Sequence, residues 1–472
     1  MSEAEITLYI YEGGDDSNEG TFEKPLWSVA AALDRVRWKS YETACFVISG
    51  SITEPAARQA MIDITGRGLP AIVLQSRGPK HPGILNAKGL NKRVIYIADG
   101  NTLFIKDYVI IRGGAKNLGG SGIALEGGTL VMTGGEISGN DSGFAMGGGV
   151  YVGKDSEFIM EGGVIKGNNT TMSGGGVFPD EGGKFTMRSG VISGNTAFIS
   201  GGGVFVGLDS EFILSGGVIE KNKAGGEKTM LIGGVPMPCG QGGGVFVSER
   251  ARFTMTEGKI LENRAIAVQE EDAGSGSGGG VFVEKGGIFS CEKGTITKNG
   301  VMSWGGGVYA GGDFSCGDGC LIGSNAARLG GGGVHVCGDG VFTMKGGVLL
   351  NNVTGGIGGA VNIAEQGSFM MENGLVSKNS AAEMGNAFAI NSAVTVAGGV
   401  IVDNNYLPGE KEKNTASKPM PLEKAGFAVV INEAGKLTLK GGELDGKIGM
   451  KNQNQLEDTR QTAAEHTEES RE

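Results

Sequence analysis

The feature that most constrains this chain is a tetrapeptide, GGGV or a near variant, that returns at an almost fixed interval. It ends at Val150, Val177, Val204, Val245, Val281, Val308, Val334 and, as GGAV, at Val361. The plain steps are 26 or 27 residues; two are longer, with the excess falling near 224–240 and 265–277, which read as loop insertions within a turn. A period of this length marks a solenoid, whose units bury their apolar faces only against their neighbours. Each unit holds three short extended pieces separated by Gly-rich and polar turns, as in GGGVYVGKDSEFIMEGGVIKGN from Gly147 to Asn168. Three strands per period predict a three-faced coil. Glycine supports the same reading: 91 of 472 residues are Gly, with no collagen triplet, and interior glycines cost a helix about 1 kcal/mol each.

Alternation sends successive side chains of an extended piece to opposite faces. Val150 and Val152 therefore face one way and Tyr151 the other, while Phe158 and Met160 share a side opposite Ile159. The same slots return as Phe185 and Met187, Phe212 and Leu214, Phe253 and Met255, and Phe342 and Met344, which predicts an inward apolar column. An asparagine follows a glycine of nearly every unit by five residues, in the series Asn140, Asn168, Asn195, Asn222, Asn263, Asn299, Asn325, Asn352, Asn379 and Asn404. Identical amides stacked at about 4.8 Å bond up the column and cap turn groups, so a structural ladder is expected here rather than a catalytic row.

A net charge of -11 leaves no basic surplus for nucleic acid. Three histidines offer little to a histidine-based metal centre, and six cysteines in so long a chain make no disulfide scaffold. The opening MSEAEITLYIYEGG lacks the basic-then-apolar pattern of an export signal, and no apolar run is long enough to span a bilayer. As written, the chain reads as cytoplasmic, with no transmembrane segment.

One position past each repeat valine, pointing outward, stand Tyr151, Phe178, Phe205, Phe246, Phe282, Tyr309 and His335, with Tyr96 in the same slot of an earlier coil. In register these rings form an outer column about 29 Å long, which suits stacking against sugar rings or an apolar partner. Two plainer readings compete: the rings pad one another, or the insertions fold over them. In the turn that follows, each coil carries an acid: Asp155, Asp180, Asp209, Glu249, Glu284, Asp313, Asp339 and Glu365. Stacked carboxylates must be splayed into water, neutralised by Lys154, Arg250 and Lys285, or bridged by a hard cation. Calcium at Asp155, Asp180, Asp209, Asp313 and Asp339 is the one cofactor the row suggests; otherwise none is expected. Asp is also an ordinary turn residue.

Cys316, Cys320, His335 and Cys337 match a zinc set by count, yet alternation turns Cys316 inward, next to Cys291 of the preceding coil. Two buried small hydrophobes, or a Cys291–Cys316 disulfide, are the competing readings. The acidic stretch from Asp15 to Gly20 lacks the ligand spacing of a calcium loop and reads as a turn before a helix.

The repeats resemble the right-handed parallel β-helix of the pectin-lyase-like superfamily, and the GG[GA]V and [IVL]xxN pair is similar to the repeat of bacterial polymorphic outer-membrane proteins. The resemblance implies an all-β, single-stranded right-handed solenoid over 46–446, with three strands per coil and about a dozen coils. It also implies a cell-surface or extracellular protein. The opening 1–45 is similar to the entry segment of such helices: Val29, Ala32, Leu33 and Val36 recur at helical spacing, and a capping helix covers the first coil. A third loop excursion is expected near 406–425, and the polar 447–472 reads as a disordered tail. The outward slots of the other strands hold residues such as Thr186, Thr254, Thr343 and Thr395 rather than paired acids, and the polygalacturonase motifs NTD, GHG and RIK are absent. The expected function is therefore a non-catalytic scaffold for binding or adhesion that presents the aromatic column to a glycan or protein partner. The alternative is a polysaccharide lyase or glycoside hydrolase acting on an acidic polysaccharide.

Overall fold

The computed structural model describes residues 5–55, 59–115, 119–226, 231–232, 235–236, 239–267, 275–404, 427–450 and 453–460. The chain divides into two compact units, Met1–Ala224 with Arg250–Phe253, and Gly225–Glu249 with Thr254–Glu472. Each is wound as a right-handed parallel β-helix.

In the first unit the strands Val150–Val152, Val177–Pro179 and Val204–Val206 lie side by side, with each repeat valine opposite the next. Glu157–Met160, Lys184–Met187 and Glu211–Glu220 pair likewise, which sets Phe158, Phe185 and Phe212 in one file. Those rings are fully buried and nearly parallel, with centroids 4.8 and 4.7 Å apart. Glu211–Glu220 also pairs with Val191–Ser193, so the second and third extended pieces are joined there through a bend rather than a break. Beyond Asn168, Asn195 and Asn222 the structure adds a two-residue strand that the three-strand reading omits: Asn169–Thr170, Thr196–Ala197 and Lys223–Ala224.

The second unit repeats the plan. Its repeat strands Val245–Val247, Val281–Val283, Val308–Ala310, Val334–Val336, Val361–Ile363 and Phe388–Ile390 pair in sequence order. Phe289, Phe314, Phe342 and Phe369 stack inside at 4.9, 4.7 and 4.8 Å.

The GGGV signature has a steric cause. Gly174 sits at φ +71, where a Cβ would approach the Phe178 Cβ to 2.7 Å, and a Cβ on Gly176 would stand 3.1 Å from Asn195 Nδ2. Glycine thus makes room for the outward ring on one side and for the ladder amide on the other. In the ladder, Asn168 Nδ2 donates to Asn195 Oδ1 (3.0 Å) and to the Ile137 carbonyl (2.9 Å), while the Asn168 backbone N–H donates to the same Asn195 oxygen. The pattern runs from Asn140 to Asn222 in the first unit and from Asn263 to Asn404 in the second, with every amide buried.

The helix α1 (Val29–Val36) covers the N-terminal coil with Val29, Ala32, Leu33 and Val36 buried. Ser28 caps it by accepting from the Ala31 N–H, and Asp16 accepts from the N–H groups of Trp27 and Ser28, so the acidic opening stretch serves the helix entry. Glu54, 1% exposed, accepts from the N–H groups of Val29 and Ala30.

At the other end the boundary expected at 446 moves outward. Lys447–Met450 pairs parallel with Phe427–Ile431, and Leu456–Asp458 with Lys436–Leu439. Ile448 opposite Val429 and Leu456 opposite Leu437 continue the apolar files, and the open strand edge supplies the hydrogen bonds that a polar-looking segment still needs. The excursion at 406–425 lies outside the described residues, as do 227–230, 233–234 and 237–238 of the first insertion and 268–274 of the other; Leu231–Ile232 pairs antiparallel with Val235–Pro236. Among the described residues no helix is long and apolar enough to cross a membrane.

Candidate binding site

The outward rings stand in register. In the first unit Tyr151, Phe178 and Phe205 stack at 5.9 and 4.7 Å; in the second Phe246, Phe282, Tyr309 and His335 follow at 5.1, 4.3 and 5.2 Å. The expectation of an exposed stripe is nonetheless corrected. Phe178, Phe246, Phe282 and His335 are buried, at 2%, 4%, 5% and 5% exposure, and only Tyr151, Phe205 and Tyr309 are half-buried. A ring at strand spacing from its neighbours spends its faces on them, and the glycine turn closes over its root. His335 packs against Tyr309 and Trp304, with its Nδ1 2.9 Å from Asn362 Nδ2, and burial pushes its pKa down to about 3. It is therefore a neutral packed ring.

The column in the first unit ends at Tyr151 because the next strand sets Ala124 in register with it, and Tyr96 stands opposite Ala124 on the far side. Around this interruption polar groups gather. Tyr96 donates to Glu126 (2.8 Å), and the Arg93 guanidinium lies 5.3 Å from the centre of the Tyr96 ring. Arg93 is 9% exposed and its Nε has no hydrogen-bond partner among the described residues. Glu126, Tyr151, Lys154, Asp155 and Glu181 line a recess of about 440 Å³. Burial, followed by the charges of Asp180, Glu181 and Glu126, pushes the Tyr151 hydroxyl up to about 12; burial and the Glu126 hydrogen bond do the same for Tyr96. Both phenols remain protonated donors over the physiological range. Arg93, Glu126 and Glu181 escaped the sequence reading because they lie at strand ends and a turn, outside the periodic slots; the lone Ala124 in a file of rings was the available signal.

The acidic row is present but dispersed. Asp209 takes Arg250 through two 2.8 Å bonds, which hold its carboxyl below the ordinary range, and Lys285 pairs with Asp339 at 2.5 Å. Asp180 is half-buried, with burial raising its carboxyl, while Asp155 and Asp313 point into solvent. In the second unit Glu249, Glu284, Lys285, Asp313 and Asp339 line a comparable recess of about 450 Å³. The five aspartates proposed for calcium do not converge: among the described residues no group of three or more Asp, Glu, His or Cys side chains could hold a metal. The zinc set separates for the same reason. Cys316 and Cys320 are buried within the coil, whereas His335 bonds Asn362 and Cys337 donates to the Tyr309 hydroxyl. Cys291, Cys316, Cys320 and Cys337 are free thiols, and Cys320 sets its sulfur 2.8 Å from that of Cys291.

No family model, curated protein or solved structure matches the chain.

Proposed function

We propose that the protein is a non-catalytic β-helix scaffold for binding or adhesion, and that it engages a glycan or protein partner at the acid-lined turn beside the ring column rather than over the ring faces. The observation that carries this reading is the recess at Tyr151. There a half-buried ring edge and a protonated hydroxyl that donates to Asp180 stand beside Glu126, Lys154, Asp155 and Glu181. A phenol edge with carboxylate acceptors and one ammonium donor matches a hydroxyl-rich or amine-bearing ligand. The same three carboxylates repel a polyanion, which disfavours the alternative of a lyase or hydrolase acting on an acidic polysaccharide. The likeness to the pectin-lyase-like superfamily, and to surface adhesins within it, stays part of this proposal and bears on scaffold rather than chemistry.

A glycan array, run with and without a chelator, is the test. Binding to neutral or amino sugars, insensitive to the chelator and lost in Tyr151→Phe at unchanged melting temperature, is the expected result. That variant keeps the stacked ring and removes only the hydroxyl. Binding that survives in Tyr151→Phe and in Glu126→Gln, or binding confined to acidic glycans, refutes the assignment.

A further inference from the structure

In both units a methionine of one coil lies against a glycine of the next. A Cβ built on Gly163, Gly190 or Gly217 would stand 2.5, 2.7 or 2.6 Å from the Cε of Met132, Met160 or Met187, and Gly374 and Gly399 meet Met344 and Met371 in the same way. Each of these glycines stands five residues before a ladder asparagine. A long flexible thioether thus fills the space left by a residue with no side chain.

One place breaks this pairing on both sides at once. Cys291 takes the methionine slot, and Cys320, five residues before Asn325, takes the glycine slot of the following coil. The strand Asp313–Gly323 has 11 residues against 10 in Ile288–Thr297, and the register slips between Cys291 and Lys293, which brings Cys320 opposite Gly294. The extra residue accommodates a side chain where other coils have none. The Sγ atoms of Cys291 and Cys320 are 2.8 Å apart, inside ordinary van der Waals contact, and the two residues are 1% and 2% exposed. Cys316 also lies within hydrogen-bond reach of Cys320, but its thiol is turned toward the Gly346 carbonyl at 3.4 Å.

We propose that Cys291 and Cys320 are a disulfide-forming pair, a covalent staple between consecutive coils of the second unit, closed by a low-molecular-weight disulfide such as oxidised glutathione. One protein thiolate attacks that disulfide and expels a glutathione thiolate, leaving a mixed disulfide. The second protein thiolate attacks the protein sulfur of the mixed disulfide and expels the other glutathione. Two protein thiols lose two electrons and two protons, which leave on two molecules of reduced glutathione. Because both sulfurs are buried, the exchange belongs to folding or local opening rather than to the closed coil.

The full chain, refolded in a glutathione redox buffer, is alkylated in denaturant, digested and mapped by mass spectrometry. The expected product is a single cross-linked pair joining Cys291 to Cys320, with Cys45, Cys239, Cys316 and Cys337 alkylated. Reductant should lower the melting temperature by several degrees in the wild type and leave it unchanged in Cys320→Gly, which restores the residue carried by other coils. Cys316→Ala should keep the cross-link. Alkylated Cys320 in the refolded oxidised protein, or a link from Cys291 or Cys320 to Cys316 instead, overturns the proposal.

Discussion

Replacing Asn195 by leucine isolates what the ladder contributes. Asn195 is fully buried. Its Oδ1 accepts from the backbone N–H and the side-chain Nδ2 of Asn168, both at 3.0 Å, and its Nδ2 donates to the Ile165 carbonyl at 2.9 Å and to Asn222 Oδ1 at 3.0 Å. Leucine is close in size but can neither donate nor accept. The substitution leaves the Asn168 N–H, one Asn168 amide proton and the Ile165 carbonyl without these partners in a place water does not reach. At about 1 to 2 kcal/mol for each of these three buried groups, the loss is about 3 to 6 kcal/mol. Asn373→Leu, at an exposed asparagine outside the ladder, is the matched control and should move stability by less than about 0.5 kcal/mol. Chemical denaturation reports the global effect. Because each coil leans only on its neighbours, hydrogen exchange of the Asn168 amide is the sharper local readout and should accelerate before the rest of the unit opens. An unchanged midpoint together with unchanged protection at Asn168 would refute the claim that the amides bear load.

Three further outcomes follow from the geometry. Burial raises the Glu54 carboxyl from its ordinary 4.5 to about 7, so the folded state holds that proton more tightly than the unfolded chain does. Its contribution to stability is complete below about 4.5 and falls as pH rises toward 7, by about 3 kcal/mol in all, and the difference in urea midpoint between wild type and Glu54→Gln should trace that window; parallel pH profiles would contradict it. Phe178, closed between Tyr151 and Phe205, should cost about 3 kcal/mol or more as Phe178→Ala, measured by denaturation, whereas a freely exposed binding ring would cost almost nothing. The His335 imidazole, held near a pKa of 3 by burial, should show no titration by NMR between pH 5 and 8; a midpoint near 6.5 would mean that the ring reaches water.

The fold was legible because every coil repeats the same physical problem. A repeat valine, a phenylalanine inside the second strand and an asparagine at the bend each recur at one spacing, and parallel stacking turns spacing into register, as with Phe158, Phe185 and Phe212. The helix Val29–Val36 was readable from its own 3.6-residue pattern. Exposure was not readable. Alternation sends Phe178 and Phe282 outward correctly, but whether an outward ring meets water depends on its neighbours' faces and on how tightly glycine lets the turn close, and neither is a property of one strand. The end of the solenoid was missed for a related reason: Ile448 and Leu456 are single apolar residues in polar surroundings, and they fold because the edge beside them is already ordered.

The informative positions in a chain like this are those where the period is kept and a residue type changes. A regular file of rings gives the same stacking whether or not anything binds it, so Phe178 or Phe246 carries no information about a partner. Ala124, set between Tyr96 and Tyr151, interrupts the file and leaves a tyrosine with one stacking neighbour fewer, and beside that interruption lie Glu126, a recess and a buried arginine Nε without an acceptor among the described residues. Cys320 interrupts a file of glycines and meets a second interruption, Cys291, in the coil before it. Packing alone would favour the residue that every other coil uses, since neighbours on both sides are shaped to it. A departure that also brings its own compensation, such as the added residue in Asp313–Gly323, is therefore where a requirement other than folding acts on the chain.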